Sequence, residues 1–227
     1  MNRPSKHAGA PWSAVLRTAL GRTRKRQLRM LLALGLASFS TQAADPLYQN
    51  NFEQTETGNV PDEFLVLDGD FAGKAESGNK FLERPGAPLD AFGFMFGPSA
   101  RHGNEINARM FGTKKGRRFP VFGVALNGVN GYRLQVTPAK RAIELLKAGA
   151  VAAKVPFRWS GGEWLRLALR VEQTGDAEWT ISGKVWADGK KAPAKPTLTY
   201  KETKEPRNGK PSIWAVSYTH LTLPTKA

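Results

Sequence analysis

The chain has 227 residues, a formal net charge of +15 from 34 basic and 19 acidic side chains, and no cysteine. Its length suits one sizeable β-domain or two very small ones. The absence of cysteine excludes disulfides, Cys-ligated zinc or iron–sulfur centres, c-type haem attachment and a lipidated N-terminal cysteine.

The first 44 residues hold eight of the basic side chains and no Asp or Glu. The stretch RTRKRQLRMLLALGLASFSTQAAD has the three parts of an export signal: basic residues, an apolar run Met30–Phe39, and small residues around Thr41-Gln42-Ala43-Ala44. About ten apolar residues cannot span a bilayer that needs roughly 20, so cleavage is favoured over a membrane anchor. Cleavage after Ala43 or Ala44 starts the mature chain near Asp45. Arg24-Lys25-Arg26 lacks a true twin arginine, which leaves Tat export the minor option. Between Asp45 and Ala215 the basic residues number 25 against 19 acidic ones, so most of the basicity goes with the signal and a nucleic-acid partner is disfavoured. His102 is the sole histidine of that region, which argues against a multi-His metal site or a Ser-His-Asp triad.

From Leu47 onward, short alternating runs separated by Gly, Pro, Asn and Asp predict an all-β sandwich or barrel. The expected strands are Leu47–Glu53, Phe64–Leu67, Phe71–Ala75, Lys80–Glu83, Phe92–Phe96, Glu105–Phe111 and Val121–Asn127. Then follow Tyr132–Thr137, Ala142–Lys147, Val151–Pro156, Trp164–Val171, Trp179–Ala187 and Thr197–Lys201. Asn127-Gly128, Asn130-Gly131, Ala148-Gly149, Asp188-Gly189 and Asn208-Gly209 are expected turns that tolerate positive φ. Ala139–Ala153 contains good helix formers, but strands on both sides favour a hairpin around Gly149.

Period-two parity sorts the faces. Leu165, Leu167, Leu169 and Val171 oppose Trp164, Arg166 and Arg170; Tyr132, Leu134 and Val136 oppose Arg133, Gln135 and Thr137. Ile106, Ala108 and Met110 oppose Asn107, Arg109 and Phe111; Trp179, Ile181 and Val185 oppose Ser182, Lys184 and Trp186. One set suits burial between two sheets; the other is left to solvent or to a ligand.

LYQNNFEQTETGNVPDEF near the start and GEWLRLALRVEQTGDAEWTISGKVWADG near the end resemble the concanavalin A-like (laminin G-like) sandwiches of secreted bacterial proteins. The matching parts are the opening segment with Phe52, the W-x-R-x-x-x-R of Trp164, Arg166 and Arg170, and the W-x-x-x-G-x-x-W-x-x-G of Trp179, Gly183, Trp186 and Gly189. FGVALNGVNGYRLQV is similar to the related 3-keto-disaccharide hydrolase domains. The resemblance covers most of 47–214 and implies a two-sheet antiparallel jelly-roll sandwich with a sugar site on its concave sheet. The glycosidases of that superfamily carry an E-x-D-x-x-E strand motif, which is missing here. Paired-carboxylate hydrolysis needs the groups roughly 5–9.5 Å apart, and alternate residues of that motif supply it. The closest acidic pairing, Asp68 and Asp70 around Gly69, reads as a turn first, a calcium site second and a catalytic pair last.

The candidate binding stripe is Arg109, Arg133, Gln135, Arg166, Arg170, Lys184 and Trp186. Guanidinium and amide groups pair with sugar hydroxyls and carboxylates, and an indole stacks on a sugar face. The competing reading is an ordinary solvated sheet with Arg stacked on Trp. Lys114-Lys115-Gly116-Arg117-Arg118 reads as a solvated hairpin loop, with anionic polymer binding as the alternative.

The terminal VSYTHLTLPTKA departs from what precedes it. Back-translated as GTC TCT TAT ACA CAT CTG ACG CTG CCG ACG, VSYTHLTLPT resembles a transposase end plus adapter used in shotgun DNA libraries. Residues 216–227 are therefore read as non-native, the alternative being a genuine strand of good β-propensity. The domain is expected to occupy 45–215, truncated at Ser212-Ile213-Trp214, with the partner of Leu47–Glu53 missing and an exposed edge left behind. The sequence points to an exported, non-catalytic, carbohydrate-associated module, with a glycoside-acting hydrolase and a structural or adhesion domain as alternatives.

Overall fold

The computed structural model describes residues 46–83, 91–114, 116 and 119–216. All of them belong to one compact unit, Ala44–Ala227. The expected signal at 1–44 and the tail beyond Val216 lie outside the described residues.

The strands are β1 (Leu65–Asp68), β2 (Ala72–Glu76), β3 (Asn79–Glu83), β4 (Ala91–Met95), β5 (Asn104–Phe111), β6 (Val121–Leu126) and β7 (Tyr132–Thr137). They continue as β8 (Ala142–Lys147), β9 (Ala150–Pro156), β10 (Trp164–Gly175), β11 (Glu178–Ala187), β12 (Leu198–Glu202) and β13 (Ser212–Val216). One seven-stranded sheet runs β1-β4-β13-β6-β7-β8-β9, a four-stranded sheet runs β12-β11-β10-β5, and β2 with β3 forms a separate hairpin. The strand pairings within these sheets are antiparallel. The molecule is the expected all-β, two-sheet antiparallel jelly-roll sandwich.

Alternation builds the core. Ile106, Ala108, Met110, Leu165, Leu167, Leu169, Val171, Trp179, Ile181 and Val185 of the small sheet are buried, as are Phe94, Phe122, Val124, Leu134, Val136, Ile143, Leu145 and Ile213 of the large one. Each of these alternates along its strand with a residue on the outer side, so the two inner faces share one apolar layer. At one end a polar pin joins the sheets. The Glu202 carboxylate of β12 accepts from Tyr132 Oη at 3.0 Å and from the backbone N–H groups of Thr203 and Lys204, and pairs with Lys147. Burial alone raises a carboxyl pKa; these donors outweigh it and hold Glu202 below its ordinary value, while raising that of Lys147.

The structure corrects three expectations. Leu47–Glu53 forms bends and turns instead of a strand. Asn50 and Asn51 accept through Oδ1 from the N–H groups of Phe52 and Glu53, an Asx-turn geometry that competes with sheet pairing. Phe52 takes a φ of 61° and plugs the core against Phe64. Ser212–Val216 sits inside the large sheet, between β4 and β6. Asn130-Gly131 and Asn208-Gly209 do not take the positive φ found at Asn127-Gly128 and Ala148-Gly149. Gly131 and Gly209 instead admit close backbone neighbours, since a Cβ there would fall 2.0 Å from Leu126 O and 2.5 Å from Asn127 C. The preference for a hairpin over a helix at 139–153 holds: β8 and β9 meet at Ala148-Gly149.

Candidate functional site

The stripe expected from parity falls on two opposite surfaces. Arg109, Arg166, Arg170, Lys184 and Trp186 belong to β5, β10 and β11 of the small sheet; Arg133 and Gln135 belong to β7 of the large one. Period two reports which residues of one strand share a face, but not which sheet that strand joins.

On the small sheet, Arg109 pairs with Arg166 and Arg166 with Trp186 across neighbouring strands. Two adjacent guanidinium groups repel unless an anion joins them, and Asp188, just after β11, supplies it. Its Oδ2 meets Arg109 Nε and its Oδ1 meets Arg166 Nε, each at 2.7 Å. The Arg109 guanidinium lies 4.1 Å over the Trp164 ring, which packs against Phe111. Burial lowers the Arg109 pKa, Asp188 opposes that shift and Arg166 adds to it. Arg170 pairs with Glu172 at 2.8 Å. The charges of this surface are largely satisfied within the protein.

On the large sheet, register arranges the outer side chains in two rows. One row runs Gly93, Trp214, Gly123, Gln135, Glu144 and Lys154 across β4, β13, β6, β7, β8 and β9. The next runs Met95, Ser212, Ala125, Arg133, Leu146 and Val151. Trp214 thus has a glycine beside it on each neighbouring strand. A Cβ at Gly93 would stand 3.7 Å from the indole and 3.0 Å from Ile213 O, and one at Gly123 would fall 2.2 Å from Leu134 O. With no side chain rising between them, Arg133 reaches from the second row to lie 4.2 Å over the Trp214 ring.

Beside this pair, Glu144 is almost fully buried although it belongs to the outer side. It accepts from Gln135 Nε2 at 3.0 Å, Thr137 Oγ1 at 3.1 Å and Lys140 Nζ at 3.2 Å, with Lys154 Nζ at 3.9 Å. Burial alone would raise its pKa; the donors outweigh it and keep the carboxyl below the ordinary value, hence ionised at neutral pH. Gln135 is fixed by spending its amide N–H on this carboxylate.

Two hollows flank the two surfaces. One of about 230 Å³ lies at the end of the large sheet, lined among others by Leu67, Val129, Asn130, Arg133, Leu146 and Trp214. One of about 490 Å³ lies between the β2–β3 hairpin and the small sheet, lined by Glu76, Asn79, Phe81, Glu83, Arg109 and Trp164 among others. Glu76 opposes Asn79, and Glu83 is four residues further along β3, so the two backbone positions are offset by roughly 13 Å along the hairpin at the usual strand rise.

The remaining candidates are dispersed. Asp68 and Asp70 are exposed on either side of Gly69, whose φ is 94°. Among the described residues no three or more His, Cys, Asp or Glu side chains are grouped so as to hold a metal ion. Lys114 is exposed in the loop after β5; Lys115, Arg117 and Arg118 lie outside the described residues. His102 is exposed in the loop before β5. No helix of the described residues is long and apolar enough to cross a membrane.

The sequence reading missed Trp214, Glu144 and the two glycines beside Trp214. A signal existed for the first: in Ile213-Trp214-Ala215 the indole alternates with two apolar residues and so belongs to the opposite side. The glycines carried none, because their meaning depends on register between strands far apart in sequence.

No family model matches the chain, and no curated protein matches it. Among solved structures it is similar to the carbohydrate binding module CBM66 from Bacillus subtilis, with a TM-score of 0.50 and 13% identity over 72% of this chain and 92% of that one. A Bacillus subtilis protein of unknown function with a galectin-like fold gives a TM-score of 0.47 at 11% identity, over 71% of this chain and 85% of that one. The carbohydrate recognition domain of Emp47p gives 0.45 at 9% identity, over 78% of this chain and 91% of that one. At such identities the likeness to CBM66 bears on the fold.

Proposed function

We propose that this chain is an exported β-sandwich module that binds saccharide on the outer face of its large sheet and does not itself catalyse a reaction. The observation that carries the reading is Trp214, set between Gly93 and Gly123 with Arg133 across its ring. An indole and a guanidinium fork side by side suit the apolar face and the hydroxyl rim of a sugar ring. Gln135, whose amide N–H is committed to Glu144, keeps its carbonyl oxygen as a further acceptor. The sandwich shared with a solved carbohydrate binding module agrees with this reading. Residues 1–44 serve as the export signal in this account.

Affinity electrophoresis through gels containing neutral or acidic polysaccharides tests it. The protein is expected to be retarded by at least one of them, and Trp214→Ala to migrate freely. Equal retardation of both proteins would remove this surface as the site.

A glycoside-acting hydrolase is the second reading, favoured by the hollow that brings Glu76, Glu83, Arg109 and Trp164 to one wall. Against it, the Glu83 carboxylate already pairs with Lys74. Turnover of a disaccharide panel that includes 3-keto forms, abolished by Glu83→Gln, would establish the hydrolase and displace the binding module.

A further inference from the structure

Arg109, Arg166 and Arg133 are not electrostatically equivalent. Arg109 and Arg166 share the Asp188 carboxylate. Arg133 has the Trp214 ring and, among the described residues, no carboxylate against it. Its Nε is buried without a hydrogen-bond partner. The neighbouring acid, Glu144, is engaged by Gln135, Thr137 and Lys140, with Lys154 adding a second positive charge beside it. A half-buried cation stacked on an aromatic ring has lost water and gained no counter-ion, an arrangement that costs free energy until an anion arrives.

The space at that cation is limited. The adjoining hollow holds about 230 Å³, below the roughly 300–1,000 Å³ typical of pockets for drug-sized ligands. It suits one ring-sized unit. Its walls pair apolar Leu67, Val129 and Leu146 with the Asn130 amide and the Arg133 fork, a mixture that matches a sugar ring carrying one charged substituent.

We infer that this hollow takes the carboxylate of a uronic acid residue in an acidic polysaccharide, with Arg133 as its counter-ion and Trp214 beneath the guanidinium. The inference rests on the saccharide-binding reading above and narrows its ligand to carboxylate-bearing sugars. Ligand binding then completes a charge pair that the folded protein leaves open, so most of the discrimination between acidic and neutral sugars comes from this one side chain.

The test is calorimetric titration of the protein with oligogalacturonate and alginate oligomers and with the methyl esters of each, which keep the ring and remove the charge. A hydrogen bond to a charged group contributes about 1.5–3 kcal/mol, so at least one acid should bind about 10- to 100-fold more tightly than its ester. Its affinity should fall as salt rises from low to about 0.5 M while that of the ester stays level. In Arg133→Gln the preference should shrink to about twofold, and Arg133→Lys, a point charge without the fork, should recover only part of it. The salt series on the unaltered protein stands even if a variant folds poorly. Acid and ester binding alike, or binding only of neutral glycans, overturns this inference and leaves the saccharide reading standing. Binding to no acidic or neutral oligosaccharide overturns both.

Discussion

Arg109 and Arg133 hold nearly the same relation to a tryptophan, 4.1 and 4.2 Å above the ring, yet they play opposite parts. The difference is Asp188. Replacing it by asparagine leaves Arg109 beside Arg166 with no shared anion, at a site where all three side chains are only 21–24% exposed. Asp188→Asn is expected to destabilise the fold by about 1–3 kcal/mol, read as a lower midpoint in urea, without changing saccharide affinity. Trp214→Ala should do the reverse: most of the affinity lost, with a smaller change in midpoint because the indole is only half-buried. A loss of affinity in Asp188→Asn would move the site to the small sheet. Glu144 adds a pH dependence. Its folded pKa lies below the ordinary value of 4.5, so its contribution to stability is fully present above that value and is lost as pH falls through the folded one. Urea midpoints measured from pH 6 to pH 3 should decline, and decline less steeply in Glu144→Gln. Parallel curves for the two proteins would show that the carboxylate is not held ionised by its donors.

At the scale of elements, the strands of the small sheet are legible because they alternate, whereas β6, β7 and β8 of the large sheet are buried at nearly every position. Leu165 to Val171 and Ile106 to Met110 are buried at every second position, as parity requires. Two things were not legible. Leu47–Glu53 has strand-like composition, but its asparagines turn the backbone locally, and a periodic pattern cannot reveal a competing side-chain hydrogen bond. The sheet that each strand joins is not legible either, so parity alone cannot separate Arg133 and Gln135 from the residues of the opposite surface. Placing β13 between β4 and β6 depends on pairings between residues as distant in sequence as Val216 and Ala91, and it is this placement that puts Trp214 in the middle of a face. The glycines beside it are structural as well as permissive. A Cβ at Gly123 would fall 2.2 Å from Leu134 O and 2.8 Å from Gln135 Cα, both backbone atoms of β7. Gly123→Ala should therefore force β6 and β7 apart, costing about 1–3 kcal/mol, and should shift Arg133 off the indole. A thermal midpoint equal to that of the unaltered protein would show that the two strands approach less closely than this.

At the scale of the whole molecule, the sandwich buries one apolar layer and turns two chemically different surfaces outward. The small sheet carries arginines already neutralised by Asp188 and Glu172. The large sheet carries a tryptophan, an arginine with no carboxylate against it among the described residues, and a buried glutamate engaged by Gln135, Thr137 and Lys140. Export is the premise for an extracellular or periplasmic saccharide ligand. Intact-mass measurement of the protein recovered from outside the cytoplasm should show a chain beginning near Asp45, and an unprocessed Met1 would contradict the signal assigned to 1–44. Indole N–H resonances report the location of the ligand directly. Proton–nitrogen NMR spectra would be recorded while the protein is titrated with acidic and then neutral oligosaccharides. The Trp214 indole signal is expected to move with saturation while those of Trp164 and Trp186, on the other surface, stay in place. Movement of Trp164 or Trp186 with Trp214 unmoved would contradict it.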